Sequence, residues 1–177
     1  MNTFKNRIIR AAKLDVHLYE EVEADKGAMG QAMGIVVLSS VAAGIGSITR
    51  TGIGGLLLGT VLALIGWYVW AYLTFLIGTK LLPEPQTKAD PGELLRTIGF
   101  SSSPGLIRVL GIIPGLSSFI FLAASIWMLV AMVIAVKQAL DYKSTLRAVG
   151  VCAIGWILQA LILAGIFAIL GGPSKPL

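Results

Sequence analysis

The sequence predicts an all-α polytopic membrane protein with five transmembrane segments, a broken third segment and an N-terminal amphipathic helix. Three observations predict this class. Of the 177 residues, 56% are hydrophobic and 13% are charged, which departs strongly from the composition of soluble domains. Uncharged runs long enough to cross about 30 Å of hydrocarbon recur along the chain. The basic residues stand mainly at the ends of those runs, as topology signals do.

Residues 1–26 are predicted to form an amphipathic cytosolic helix. Hydrophobic side chains recur at spacings of three and four from Phe4 to Tyr19 and Val22, with Arg7 and Arg10 beside them. We expect this helix to lie on the membrane surface or to pack against the bundle. Recruitment of a partner is the alternative interpretation.

The membrane domain is assigned to residues 27–172, followed by a short tail at 173–177. Its five segments are expected at about 28–48, 53–79, 91–113, 118–136 and 148–170. A turn at Thr51 and Gly52 separates the first two segments, and basic residues bound the fourth and fifth.

The third segment is predicted to be broken near its middle. A loop at 80–92 contains three prolines, and Asp90 then reads as an N-cap, with Pro91 in the first turn and Glu93 completing a capping box. A second helix start is expected with Ser103 as its cap and Pro104 in the first position. The helix is predicted to break there, because a residue that precedes proline is biased away from helical geometry.

The distribution of positive charge predicts the orientation. With five crossings and a cytoplasmic N-terminus, eleven Lys and Arg residues fall inside and two fall outside. If the third segment did not cross, the distribution would be ten against four. The positive-inside rule therefore favours five crossings, with the C-terminus outside.

Several functional classes are excluded or disfavoured by the residues. The formal net charge of +5 reflects scattered topology signals, so we expect no nucleic acid partner. A single cysteine, Cys152, and a single histidine, His17, provide no clustered metal ligands. No nucleophile, zinc or nucleotide-binding motif is present, so we expect no enzymatic activity, no metal and no cofactor.

A candidate intramembrane polar site consists of Ser101, Ser102, Ser103 and Arg108. An arginine in an apolar segment is costly unless it reaches the interface, pairs or lines water. Arg108 is interpreted either as a side chain that extends to the outer interface or as a contact for an anion or lipid headgroup. The break at 101–104 is interpreted either as a simple proline kink or as a solute site of the kind that interrupted helices form in transporters.

A candidate inner polar cluster combines two regions that emerge on the same side of the membrane. Asp141 is expected to pair with Arg147 and to lie near the carboxylates that precede the first span. The cluster is either a salt-bridged surface or a cation site, although no spacing within it specifies metal geometry. Its members are Glu20, Glu21, Glu23, Asp25, Asp141, Tyr142 and Arg147.

Short sequence blocks across most of the chain resemble the bacterial branch of the Yip (Ypt/Rab-interacting protein) domain family. The blocks are LYEEVEAD at 18–25, LLRTIGF at 94–100, PGL at 104–106, QALDY at 138–142, ST at 144–145 and RAV at 147–149. The resemblance extends over roughly residues 12–170. It implies a five-helix membrane domain with a cytosolic N-terminus and, for a bacterial member, a location in the plasma membrane.

Eukaryotic members of that family associate with lipidated Rab-type GTPases and influence membrane traffic and shape. The long N-terminal region and the Asp-Leu-Tyr-Gly-Pro-type motif of those members are not found in this sequence, which leaves GTPase binding doubtful. The resemblance implies a non-enzymatic membrane-organising or trafficking-related scaffold. Its expected partners are the lipid bilayer, other membrane proteins and a second copy of the chain. The alternative is a small channel or transporter that uses the broken third segment.

Overall fold

The computed structural model describes residues 3–170, without the side chains of residue 163 and residues 166–170. These residues form helices and no strand. The predicted tail at 173–177 and the last residues of the predicted membrane domain lie outside the described range. The α-helices are α1 Phe4–Ala12, α2 Val16–Ala24, α3 Met29–Gly46, α4 Ile48–Leu76, α5 Pro91–Phe100, α6 Ser117–Ala139 and α7 Thr145–Leu170. Short 3₁₀ helices lie at Lys26–Ala28 and Ser103–Ile112, and a π-helical turn lies at Ile77–Leu81.

Four helical stretches within the described residues are long and apolar enough to cross a membrane. They are Lys26–Gly46, Ile48–Leu81, Ser117–Ala139 and Thr145–Ile162. The predicted class, an all-α polytopic membrane protein, is therefore confirmed. The third predicted segment is not among the four, because α5 and the 3₁₀ helix after it have ten residues each. Laid end to end they would measure about 35 Å, and a fifth crossing stays a prediction.

The break in the third segment lies between Phe100 and Ser103. Helix α5 begins with the capping box of Asp90 and Glu93 and ends at Phe100, four residues before Pro104. The ring of Pro104 cannot provide an N–H and restricts the residue before it. The expected cap by Ser103 is wrong. Its hydroxyl donates instead to the Phe100 carbonyl at 2.7 Å.

The predicted single helix at the N-terminus is two helices, α1 and α2, that form a hairpin. Leu14 adopts a left-handed conformation with φ 62°, and the Asp15 carboxylate accepts the His17 backbone N–H at 3.0 Å. Aspartate stabilises such a helix start better than it stabilises a helix interior. Two hydrophobic residues of the predicted stripe, Phe4 and Val16, are exposed, because the turn rotates the two halves relative to each other.

The third segment lies at the centre of the bundle. Helix α5 packs against α2, α3, α4 and α6, and the following 3₁₀ helix packs mainly against α3 and α6. Two glycines permit this approach, since a Cβ atom on Gly99 would lie 2.7 Å from Ala32 Cβ and one on Gly105 would lie 2.1 Å from Ser39 Oγ. Close backbone contact of this kind supplies much of the packing between helices in lipid.

Candidate functional site

An open cavity with a mainly apolar lining and several polar side chains lies next to the broken third segment. It has a volume of about 280 Å³ and receives residues from α3 to α7. Its lining includes apolar groups and three indole rings. The polar side chains that line it are Ser39, Ser40, Ser101, Ser102, Arg108 and Gln159. We call it the Arg108 cavity.

Arg108 also borders two further cavities that adjoin the first. One, of about 330 Å³, lies between α6 and α7 and has a mainly apolar lining that includes Ile126, Leu129 and Trp156. The other, of about 260 Å³, lies between α3 and α4 and includes Ser47 and Thr51. Arg108 is thus the residue that these three spaces share.

The Arg108 guanidinium is held by one hydroxyl and one aromatic ring. Its Nη2 donates to Ser125 Oγ at 3.1 Å, and its Cζ lies 5.6 Å from the centroid of the Phe121 ring, within the usual range of a cation–π contact. Its Nε is buried and makes no hydrogen bond within the described residues. Among the side chains that the structure describes, no carboxylate lines any of the three cavities.

The three predicted serines have different positions. Ser101 and Ser102 line the Arg108 cavity, whereas Ser103 does not. The hydroxyl of Ser101 donates to the Ile98 carbonyl at 2.8 Å and that of Ser103 donates to the Phe100 carbonyl. These bonds satisfy hydroxyls that burial would otherwise leave without a partner.

Sequence reasoning missed Trp70 and Gln159 as cavity residues. The Trp70 indole is 5% exposed, and its Nε1 donates to no group among the described residues. Its ring lies 6.3 Å from that of Trp156, centroid to centroid. Both residues lie within long apolar runs of the sequence, and this unusual position is the signal that could have identified them. The nearby Trp67 is satisfied, because its Nε1 donates to the Leu95 carbonyl at 3.0 Å.

A second polar region lies within the α1–α2 hairpin. Arg7, which is 8% exposed, donates to Glu21 at 2.9 Å, to Asp25 at 2.8 Å and to Gln31 at 3.0 Å. Arg10 donates to Glu21 at 2.5 Å and to Asp15 at 2.7 Å. The hydrogen bond from Arg7 holds the pKa of the Asp25 carboxyl below its usual range. The basic first half of the hairpin therefore neutralises the acidic second half.

Arg96 joins the hairpin to the third segment. It is 5% exposed, and its Nε donates to the Val22 carbonyl at 2.9 Å while its Nη2 donates to the Glu23 carbonyl. These carbonyls belong to the last turn of α2, where carbonyl oxygens have no N–H donor within the helix and attract positive charge. Sequence reasoning had treated Arg96 as a topology signal.

The members of the predicted inner polar cluster do not form one cluster. Glu21 and Asp25 belong to the hairpin network described above. Glu20 is exposed and lies 3.3 Å from His17. Glu23 is partly buried and lies near the carboxylates of Asp141 and Glu93.

Glu84, which the sequence analysis did not identify, connects the loop before α5 with the loop between α6 and α7. Its carboxylate accepts the backbone N–H groups of Lys143 at 3.0 Å and Ser144 at 3.2 Å, and it lies 3.7 Å from Arg147 Nε. Arg147 also donates to the Pro83 carbonyl at 2.7 Å. The expected pairing of Arg147 with Asp141 is therefore replaced by a contact with the 82–90 loop.

Tyr142 connects the same loops, and Asp141 lies just after the C-terminus of α6. The Tyr142 hydroxyl lies 2.9 Å from the Gly78 carbonyl oxygen and 2.7 Å from that of Leu82, and burial raises the pKa of Tyr142 to about 12. Asp141 is exposed, and its backbone adopts a left-handed conformation with φ 53°. Its backbone N–H donates to the Gln138 carbonyl at 2.8 Å, as is usual after a helix C-terminus.

Glu23 is the group in this region whose ionisation should affect stability. Partial burial, with the carboxylates of Asp141, Glu93 and Glu20 nearby, raises the pKa of Glu23 to about 7, although Arg96 opposes the shift. Folding thus favours the protonated form. The unperturbed pKa is 4.5, so the wild-type protein should lose stability as pH rises from about 4.5 to about 7.

We expect Glu23→Gln to raise the melting temperature at pH 8 and to have little effect at pH 5. The gain at pH 8 should correspond to about 1 kcal/mol, because solvent screens the charge of a partly buried group. Asp141→Asn should give a smaller change of the same sign. Thermal unfolding in detergent at the two pH values would measure both, and a Glu23→Gln effect that is equal at pH 5 and pH 8 would contradict the assignment.

No group of three or more His, Cys, Asp or Glu side chains in residues 3–170 is placed to hold a metal ion.

The comparisons with known proteins gave one match. A family model described as the Yip1 domain matches residues 20–168. No curated protein and no solved structure matches the chain significantly.

Proposed function

Because this chain belongs to the Yip1 domain family, we propose that it is a non-enzymatic membrane-organising scaffold that acts on lipids and on other membrane proteins. The chain is a multi-pass membrane protein of the Yip type. Its proposed location is the plasma membrane, with the N-terminus in the cytoplasm. The observation that supports this function best is the unequal height of the exposed apolar surface on two sides of the bundle, at α4 and at α6.

On one side, α4 exposes apolar side chains along most of its length. They extend from Ile53, which is 71% exposed, to Leu76, which is 36% exposed. At 1.5 Å per residue this distance is about 35 Å, slightly more than a typical hydrocarbon thickness of about 30 Å. Lipid, another membrane protein or a second copy of this chain would meet this face.

On the other side, the exposed apolar surface of α6 is much shorter. It extends from Leu116 to Val130, about 20 Å along the helix. Beyond Val130, α2 packs against α6, and Ala131 and Ala135 are fully buried. The Trp127 indole marks the boundary, since its Nε1 donates to the Ala12 carbonyl at the end of α1 at 2.8 Å.

The hairpin that covers this half of α6 presents a largely polar outer surface. Lys5, Lys13, His17 and Glu20 are all exposed, and they would be costly in contact with hydrocarbon. A bilayer accommodates a short apolar surface by thinning locally or by tilting the protein. We infer that the bilayer beside α6 is thinner than the bilayer beside α4. This difference in thickness is how the protein would organise the membrane around it.

Matched spin labels on α6 and α4 would test this asymmetry. Val130 and Ile65 are 42% and 55% exposed, and they lie about 21 Å and about 18 Å from the starts of their apolar stretches. A label at Val130→Cys should collide several-fold more with a water-soluble nickel chelate than a label at Ile65→Cys, because the polar hairpin brings water close to Val130. Cys152 is buried and should remain unlabelled.

Vesicle shape provides the functional measurement. Increasing amounts of the protein in phosphatidylcholine liposomes should reduce the vesicle radius seen by electron cryomicroscopy. Equal collision rates at the two labels, together with an unchanged radius, would refute the proposed function.

The alternative function, a small channel or transporter, is favoured by one observation. Ser101, Ser102 and Arg108 all line the Arg108 cavity next to the helix break. Interrupted helices in transporters bind solutes in such positions. Ion and solute flux into protein-containing liposomes would test this function, and flux that Arg108→Gln abolishes would replace the scaffold proposal.

A further inference from the structure

Two residues that line the Arg108 cavity have an unsatisfied donor, and no described residue that lines it supplies an acceptor of matching charge. The buried Nε of Arg108 and the buried Nε1 of Trp70 both lack a partner among the described residues. Both groups donate hydrogen bonds and neither accepts them. A bound group that satisfies this cavity must therefore supply acceptor atoms.

The charge of Arg108 further specifies the missing group. Within the described residues its hydrogen-bond partner is the neutral hydroxyl of Ser125, and Arg108 is the only charged residue lining the three cavities that it borders. A guanidinium in apolar surroundings is costly without a counterion. Arginine suits an oxyanion particularly well, because its planar fork of donors matches a phosphate or carboxylate.

The surroundings of Arg108 favour a lipid as the source of that oxyanion. The cavity between α6 and α7 places Ile126, Leu129 and Met132 beside Arg108, and Val109 and Leu110 next to it in sequence are 37% and 48% exposed. An acyl chain would find apolar contacts there, while the headgroup would meet the polar side chains of the Arg108 cavity.

We propose that Arg108 and Trp70 form a binding site for a phosphate group, which an anionic lipid headgroup or free inorganic phosphate can supply. The phosphate oxygens accept from the Arg108 guanidinium and from the Trp70 indole. The site does not rest on the proposed scaffold function, since that function depends on the α1–α2 hairpin and on the height of the apolar surface of α6, whereas the site depends on the donors of Arg108 and Trp70.

Arg50 provides a matched control for this site. Like Arg108, it donates to a serine hydroxyl of α6, here Ser117 at 2.5 Å, but it is exposed beside the turn between α3 and α4. Arg50→Gln and Arg108→Gln remove the same charge. They differ in that Arg108 borders the three cavities.

The test compares the full chain in nanodiscs of phosphatidylcholine alone, phosphatidylcholine with phosphatidylglycerol, and phosphatidylcholine with added inorganic phosphate. We expect phosphatidylglycerol to raise the melting temperature of the wild type and of Arg50→Gln, but not that of Arg108→Gln. The apparent affinity for phosphatidylglycerol should fall by about tenfold or more in Arg108→Gln, as expected for loss of a charge-assisted bond. Inorganic phosphate that stabilises the wild type, and not Arg108→Gln, would also support the site and identify the free ion as a source.

Trp70→Phe keeps the proposal testable if Arg108→Gln does not fold. It removes the indole donor and retains an aromatic ring, so the affinity for phosphatidylglycerol should fall by about fivefold, as expected for loss of one neutral hydrogen bond. Equal stabilisation of the wild type and the Arg108 and Trp70 variants would overturn the site. Equal loss in Arg50→Gln and Arg108→Gln would also overturn it, because general surface charge would then explain the effect.

Discussion

Replacing Gly46 with alanine is expected to lower the free energy of unfolding by about 1–3 kcal/mol, the usual cost of forcing extra atoms into a packed interior. Gly46 is buried at the end of α3. A Cβ atom there would lie 2.0 Å from the Arg108 carbonyl oxygen and 3.2 Å from the Phe121 ring. Because the nearest atom belongs to the backbone, either α3 or the 3₁₀ helix of the third segment must move.

Gly59→Ala is the matched control for this substitution. Gly59 is exposed on α4, and a Cβ atom there would meet nothing within 4 Å. It should leave stability unchanged or raise it, because alanine favours a helix more than glycine does. Denaturation in mixed micelles would compare the two, and equal stabilities of Gly46→Ala and the wild type would show that α3 and the third segment do not pack closely.

Replacing Arg96 with alanine is expected to lower the free energy of unfolding by about 3 kcal/mol, since it leaves buried carbonyls without a donor and removes a packed side chain. The affected carbonyls are those of Val22 and Glu23. When Arg96 no longer donates to these carbonyls, the α1–α2 hairpin should separate from α5. The backbone amides of α2 should then exchange hydrogen faster than in the wild type.

Arg147→Ala serves as the control for Arg96→Ala. Arg147 also donates to a backbone carbonyl, that of Pro83, but its side chain is 47% exposed, and water can replace it. We expect a change below about 1 kcal/mol. Unchanged exchange in α2 of Arg96→Ala would contradict the role of Arg96 in docking the hairpin.

The features that the sequence predicted well depend on neighbours in the chain. Long uncharged runs indicated membrane helices, because the bilayer itself selects apolar stretches of sufficient length. The capping box of Asp90 and Glu93 and the break before Pro104 were predicted from contacts within three or four residues. These are short-range effects of backbone and side-chain geometry, which the sequence displays directly.

The errors concern partners that lie far apart in sequence. Arg147 was expected to pair with Asp141, but Glu84, about sixty residues earlier, lies beside it. The acidic residues before the first span were expected near that same loop, whereas Glu21 and Asp25 pair with Arg7. A turn at Leu14 makes this pairing possible, and the periodic hydrophobic stripe concealed that turn.

The sequence by itself determined that the chain is a helical membrane protein with a discontinuous third segment, because hydrophobic length and proline geometry act locally. Only the tertiary structure decided which charges are neutralised and which are not. Arg7 and Arg96 are both buried and satisfied, whereas Arg108 retains an unpaired donor. The sequence placed Arg108 in an apolar segment, but it could not show the partners of any of the three, because the packing of helices determines which oxygen atoms each guanidinium can reach.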